Sequence, residues 1–415
     1  MLSEFGVELD QTIFDPFAGS GTTLLTARML GLEATGIELL PHCHVAWAGK
    51  SLVFDYDLDE LVQLRRLIQT ELPPPTNEPF PHLRITETAF PEKQERDLMA
   101  YTHWFESLDI SINSKILSHM ILMSLLEDVS YTRKDGQYLR WDGRAPKIIA
   151  RNQIRRQQGK KPFRGINKGE LPSVKSAFLD RLNKIIRDIA NLQKKLPPAS
   201  QQRLIEGNIL YSLPSLEPQQ FDAVITSPPY ANRYDYTRTY ALELAYLNVG
   251  DKIFDLRQSM LSCTVENKPK LEELELFYNR LGRQSEFARI SQIIANNEAL
   301  HEINQALCTR NKRGDINNKG VLGMIEQYFS ELTFVFAELF CTCRQGAYNA
   351  IVNDNVRYAG EVIPVDLLST NLAEMIGFEP IKVYVLPQRK GNSSQQMGKF
   401  GRCALRKSIT IWKKP

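Results

Sequence analysis

The chain has 415 residues, 43% hydrophobic and 24% charged, with a formal net charge of +3. That length allows one large domain with insertions or two domains, and so small a net charge does not by itself announce a nucleic-acid partner. The six cysteines have no paired spacing and read as reduced thiols rather than disulfides or a zinc site. With no signal pattern and no run of ~18 apolar residues, a soluble cytoplasmic protein is predicted, with no membrane partner.

In chain order, a short strand at 12–14 runs into Asp15-Pro16-Phe17-Ala18-Gly19-Ser20-Gly21-Thr22-Thr23. A helix over 24–30 follows, ended by Gly31, and a second strand at 34–38 ends in Glu38. Strand, glycine turn, helix, strand is the opening of a doubly wound α/β sheet. The two glycines let backbone approach a ligand, and the helix N-terminus offers N–H groups to an anionic group such as a carboxylate. Glu38 stands where an acid can accept hydrogen bonds from two ribose hydroxyls. A tight structural turn is the plainer reading of the same residues. The turn is neither a Walker loop nor a GxGxxG dinucleotide turn.

The sheet pattern then stops. Helices are predicted at 57–72, broken by Pro73-Pro74-Pro75, and over the mostly apolar 102–126. Residues 133–168 form a polar, basic stretch. An amphipathic helix carrying Phe178, Leu182, Ile185 and Ile189 follows and ends at Pro197-Pro198. His42-Cys43-His44 and Cys341-Thr342-Cys343 lack distant partners, so no metal site is expected. Strands resume at 203–208 and 221–227, a second helical stretch fills 250–318, and a helix covers 321–340. Strands near 347–352, 381–386 and 408–412 complete the chain. The expected fold is one α/β domain over 1–56 and 200–415, with a helical insertion at 250–318. Between its second and third strands lies a large, mainly helical insertion, 57–199.

The strand at 221–227 ends in Ser227-Pro228-Pro229-Tyr230. Two prolines fix φ near −65° and remove two backbone donors, which directs the local carbonyls outward. An exocyclic amine is a poor nucleophile because its lone pair is conjugated with the ring. Acceptors that grip its hydrogens, here the Ser227 hydroxyl and the Pro228 carbonyl, can pull the nitrogen toward sp³ geometry. Tyr230 offers a stacking face for a flipped base. A turn that merely ends a strand is the alternative.

Together these motifs resemble those of the amino-methylating, S-adenosylmethionine-dependent DNA methyltransferases, whose sheet is Rossmann-like. The resemblance is clear over 12–50 and 203–250 and fainter over 321–415. It implies that Asp15, Pro16, Phe17, Gly19, Ser20, Gly21, Thr22 and Thr23 hold the methionine moiety of S-adenosylmethionine and that Glu38 holds its ribose. Asn208 falls where the family usually has an acid beside the adenine. It also implies a catalytic role for Ser227, Pro228, Pro229 and Tyr230, and the serine is similar to that of the cytosine-N4 members. Methylation of adenine N6 is the nearest alternative, an amino-methyltransferase acting on RNA a more distant one, and, outside enzymes altogether, a degenerate DNA-binding subunit of a modification complex a third. A bacterial restriction-modification system, with a cognate endonuclease, is the expected setting. Family members usually carry a helix before the first motif, where only eleven residues precede Thr12 here. That helix is expected to be rearranged, to lie on a partner polypeptide, or to have been lost to a late start of the reading frame.

Residues 133–168 hold twelve basic side chains against two acids. Arg133, Lys134, Arg140, Arg144, Arg151, Arg155, Arg156, Lys160, Lys161 and Arg164 are the expected contacts to double-stranded DNA, beside Lys147 and Lys168. Tyr138, Trp141, Asn152, Gln153, Gln157 and Gln158 are candidates to read base edges. A solvated basic loop is the bland reading.

Overall fold

The computed structural model describes residues 4–135, 138–195, 197–387, 400–401 and 403–415. Its strands are β1 (Thr12–Asp15), β2 (Glu33–Glu38), β3 (Thr132–Asp135), β4 (Tyr138–Trp141), β5 (Gln202–Glu206) and β6 (Phe221–Thr226). They continue with β7 (Cys343–Asp354), β8 (Val356–Tyr358), β9 (Glu361–Ile363), β10 (Glu379–Leu386) and β11 (Lys407–Lys413). Seven of them form one sheet in the order β10-β11-β7-β6-β1-β2-β5. Neighbours pair in parallel from β5 to β7, and β11 runs antiparallel to both β7 and β10. This is a mixed α/β fold with a mostly parallel, Rossmann-like central sheet. The apolar runs of β1 and β6 fit a sheet covered on both faces: Phe14 stacks on Phe221 with ring centroids 4.2 Å apart, and the helix Gly320–Thr342 is buried along most of its length. Edge strand β10, by contrast, is exposed over nearly every residue.

The chain forms two compact units: Met1–Leu39, Pro197–Tyr234 and Leu256–Pro415 in one, Leu40–Leu196 and Asp235–Asp255 in the other. The first holds the seven-stranded sheet. The second contains the helices Pro41–Ser51, Leu58–Thr70, Glu92–Ser107, Ile112–Val129, Pro146–Gln157 and Val174–Leu192, with the β3–β4 hairpin.

One local expectation is corrected. The apolar run at 102–126 is two helices, because Ser111 caps the second by accepting from the Ser114 N–H at 3.2 Å. Glu60 fixes that cap, accepting from the Ser111 backbone at 2.7 Å and from the Ser114 hydroxyl at 2.6 Å. His42-Cys43-His44 lies inside a helix that starts at Pro41, and the basic stretch contains both a hairpin and a helix. Among the described residues, no helix is long and apolar enough to cross a membrane.

Close packing under the glycine turn sets one position. A Cβ built on Gly36 of β2 would stand 2.6 Å from the Ala18 Cβ and 2.9 Å from the Leu24 Cδ1. Gly36→Ala should therefore destabilise the chain by about 1–3 kcal/mol, the usual cost of overpacking. Denaturant unfolding checks this, and an unchanged midpoint would show that the turn can shift freely.

Candidate functional site

The carboxyl ends of the parallel strands bring Asp15, Glu38, Glu206, Thr226 and Asp354 to one edge of the sheet. Asp15 is 4% exposed and makes three hydrogen bonds. Its Oδ1 accepts from the Thr226 hydroxyl at 2.6 Å and the Phe17 N–H at 3.1 Å, and its Oδ2 from the Thr23 hydroxyl at 2.6 Å. Burial pushes its carboxyl above the usual carboxylate range, against the pull of these three donors. Asp15 is thus spent on joining β1, β6 and the helix Thr22–Leu30.

In the turn itself, Gly19 and Gly21 have φ of +53° and +79°, a region that favours glycine. Among the described residues, nothing lies within 4 Å of a Cβ built on Gly19, so a ligand has room there. Glu38 accepts from the Gly19 N–H and the Leu39 N–H, each at 2.9 Å. A carboxylate oxygen can accept more than one hydrogen bond. Asn208 caps the short helix Ile209–Ser212 through its Oδ1, while the Gly207 N–H bonds the Glu38 carbonyl at 3.0 Å.

After β6 the chain leaves the sheet through the prolines. Ser227 is exposed, Pro228 buried and Tyr230 half-buried. The Ser227 and Tyr230 hydroxyls lie 3.0 Å apart. When serine donates in that bond, its lone pairs remain to accept from another donor. The turn is pinned from beyond by the Tyr358 hydroxyl, which donates to the Ala231 carbonyl at 2.7 Å. Sequence reasoning missed Thr226 and Tyr358, and only the register of distant strands reveals them. The polar run Asn353-Asp354-Asn355 stands at the end of β7, where Asn353 and Asn355 are 1% and 4% exposed.

In the second unit the basic segment divides into two classes. Lys134 donates to the buried Glu243 and lies 4.6 Å over the Tyr240 ring. Arg144 grips Asp142 with two bonds of 2.9 Å. Lys168 donates to the Ser130 and Thr132 carbonyls at 2.8 Å. Lys147 lies 3.5 Å over the Trp141 ring, and burial lowers its pKa to about 8. By contrast Arg133, Arg140, Arg151, Arg156, Lys160, Lys161 and Arg164 are exposed and Arg155 half-buried. Arg140, Arg151 and Arg164 line a cavity of about 450 Å³ together with Trp141 and Phe163. Asn152 spends its amide on the Phe163 backbone, at 2.6 and 3.1 Å. His42 is buried against Tyr240 at 4.2 Å, and that burial drives its pKa down to about 3.

Relatives match the chain over its whole length. The Type II methyltransferase M.BsoBI of Geobacillus stearothermophilus is 56% identical over 418 residues, covering 100% of this chain and 82% of that protein. The Type II methyltransferases M.AvaI of Nostoc sp. and of Anabaena variabilis are each 39% identical over 433 residues, covering 100% of this chain and 83% of theirs. No protein-family model and no solved structure matches the chain.

The pairing of half-buried Lys134 with buried Glu243 yields a stability test. Lys134→Met leaves an uncompensated carboxylate inside the fold and should cost about 3–5 kcal/mol near neutral pH. Burial already raises the Glu243 carboxyl, so protonation removes the unpaired charge and the loss should shrink as pH falls. Urea unfolding at several pH values checks both; a loss that is the same at acid pH would place its origin elsewhere.

Proposed function

The chain belongs to the type II DNA methyltransferases, and on that premise we propose that it methylates the N4 amino group of a flipped cytosine. The methyl group comes from S-adenosylmethionine, and the target lies within a specific duplex sequence. The observation that carries this reading is the Ser227–Tyr230 hydroxyl pair, set one residue beyond Thr226 and so tied through Asp15 to the glycine turn.

The open space at Gly19 and the Glu38 carboxylate fit S-adenosylmethionine. Gly19, Ser20, Gly21 and Thr22 would approach its methionine end, Glu38 its ribose and Asn208 its adenine. Asp15, Pro16, Phe17 and Thr23 shape the turn around it. When bound, it supplies an electrophilic methyl group on a sulfonium. The Ser227 hydroxyl, donating its own proton to the Tyr230 oxygen, and the Pro228 carbonyl accept from the two amino hydrogens and aim the nitrogen lone pair. Pro229 holds the turn rigid, and the Tyr230 ring stacks on the base. No general base has to act first, because the proton leaves more easily once the nitrogen is quaternised.

Within the predicted 57–199 insertion, the exposed cations Arg133, Arg140, Arg151, Arg156, Lys160, Lys161 and Arg164, with the half-buried Arg155, are the proposed phosphate partners. Lys134 and Arg144 hold the fold that presents them. The helical insertion at 250–318 has no assigned role toward DNA in this reading. A cognate endonuclease that shares the recognition sequence completes the proposed setting, a bacterial cytoplasm.

Ser227→Ala should lower kcat about ten- to a hundredfold with little change in cofactor affinity, as removal of a bond made mainly in the transition state does. Tyr230→Phe should reproduce part of that effect and Tyr230→Ala exceed it. Mass spectrometry of nucleosides from modified DNA should show N4-methylcytosine. Finding N6-methyladenine would move the assignment to the other base, and finding no methylated base would sink the enzyme reading. Neutralising Arg155, Arg156, Lys160 and Lys161 together should flatten the salt dependence of DNA binding. The expected change in slope is about 0.9 for each phosphate that is no longer neutralised, and an unchanged slope would make this segment a solvated surface.

A further inference from the structure

On the base-stacking role read for Tyr230, we propose that Lys407 is a positioning residue that holds the place of the target base. Its ammonium covers the Tyr230 ring in the free protein and moves to Asp354 when the base arrives. The Lys407 Nζ lies 5.3 Å from the Tyr230 ring centroid, within the range of a cation–π interaction. A base stacked on that ring needs about 3.5 Å, which leaves under about 2 Å to the ammonium and no room for both. Charge points the same way. Methylating a neutral amine from a sulfonium carries positive charge onto the base, and an ammonium over the same ring opposes it.

A receiver for the displaced cation stands directly across the strand pair. Lys407 opens β11 opposite Asp354, the last residue of β7, so the two side chains share one face of the sheet. Among the described residues, Asp354 Oδ1 is buried without a hydrogen-bond partner. Burial raises its carboxyl, and the positive charge of Lys407 is what opposes the shift. A buried carboxylate oxygen without a donor is costly, and an arriving ammonium relieves that cost.

The backbone on both sides is held still. Arg406 grips the fully buried Asp366 at 2.7 and 3.0 Å, and the Ser408 hydroxyl donates to the same carboxylate at 2.7 Å. The Asn355 N–H bonds the Arg406 carbonyl at 3.0 Å, and the Asn355 side chain accepts from the Asp366 N–H at 3.2 Å. Only the flexible lysine stem between these anchors has to swing.

A double-mutant cycle on the full chain tests this, with tritiated S-adenosylmethionine and unmethylated genomic DNA as substrates. Lys407→Met should raise kcat/KM for DNA about two- to tenfold, the weight of a cation–π interaction that no longer has to be broken. Asp354→Asn should lower it by a similar factor, yet change nothing once Lys407 is Met, because no ammonium then needs a receiver. Cofactor affinity should be equal in all four proteins. An Asp354→Asn effect of undiminished size in the Lys407→Met background would overturn the proposal, as would a fall in kcat/KM on Lys407→Met alone. Tyr230→Ala, run beside the cycle, separates the two readings: wild-type methylation by that variant would remove the base-stacking role itself, whatever the cycle shows.

Discussion

One buried carboxylate organises the functional edge of this molecule. Asp15 binds Thr226 at the end of β6, Phe17 in the glycine turn and Thr23 in the first turn of the following helix. Each bond ends on a carboxyl oxygen held away from water, where a hydrogen bond is electrostatically stronger than in solvent. Thr226 directly precedes Ser227, so the place where the Ser-Pro-Pro-Tyr turn leaves the sheet is set by the residue that opens the glycine turn. The proposed sites for cofactor and base are therefore positioned by a single group that need touch neither.

Around that anchor the edge combines rigid backbone with a few side chains left to respond. Glu38 ties the glycine turn to β2, Tyr358 ties the segment after Tyr230, and Asp366 with Arg406 and Ser408 ties the start of β11. Such over-determination is what the proposed reaction, which must aim a weak nucleophile, requires, since misplacement by about 1 Å can cost two orders of magnitude in rate. Ser227, Tyr230 and Lys407 sit among these fixed points with side chains that can still turn.

Much of the sheet was legible because its strands are short apolar runs bounded by glycine, proline and acid. The ends at Asp15, Glu38 and Thr226 lie at or within two residues of where pattern placed them. The helix Val365–Ile376 went unread, as did the break between Glu92–Ser107 and Ile112–Val129, because apolar residues on both sides of a cap look continuous. Charge counting was least informative. Twelve basic residues form one cluster in sequence, yet Lys134, Arg144, Lys147 and Lys168 are consumed by carboxylates, carbonyls and a tryptophan ring. Nothing local distinguishes a structural lysine from one that meets a phosphate. Lys407 was invisible for the same reason, since its neighbours Tyr230 and Asp354 come from distant strands.

The strand order also bears on how the chain is made. Central strand β1 pairs with β2, close behind it, and with β6, whose register begins at Ala223. At translation rates of about 5–20 residues per second, β1 and β2 must wait roughly ten to forty seconds for that partner. During the wait most of the second unit has already emerged and can pack its helices, while the β1–β2 pair keeps an apolar edge open. The antiparallel strand β11, which brings Lys407 to Tyr230, is synthesised later still, after every other strand of the sheet. The edge that carries the Ser-Pro-Pro-Tyr turn is thus among the last parts of the molecule that can form, and a nascent chain would hold a folded second unit before it held a complete sheet.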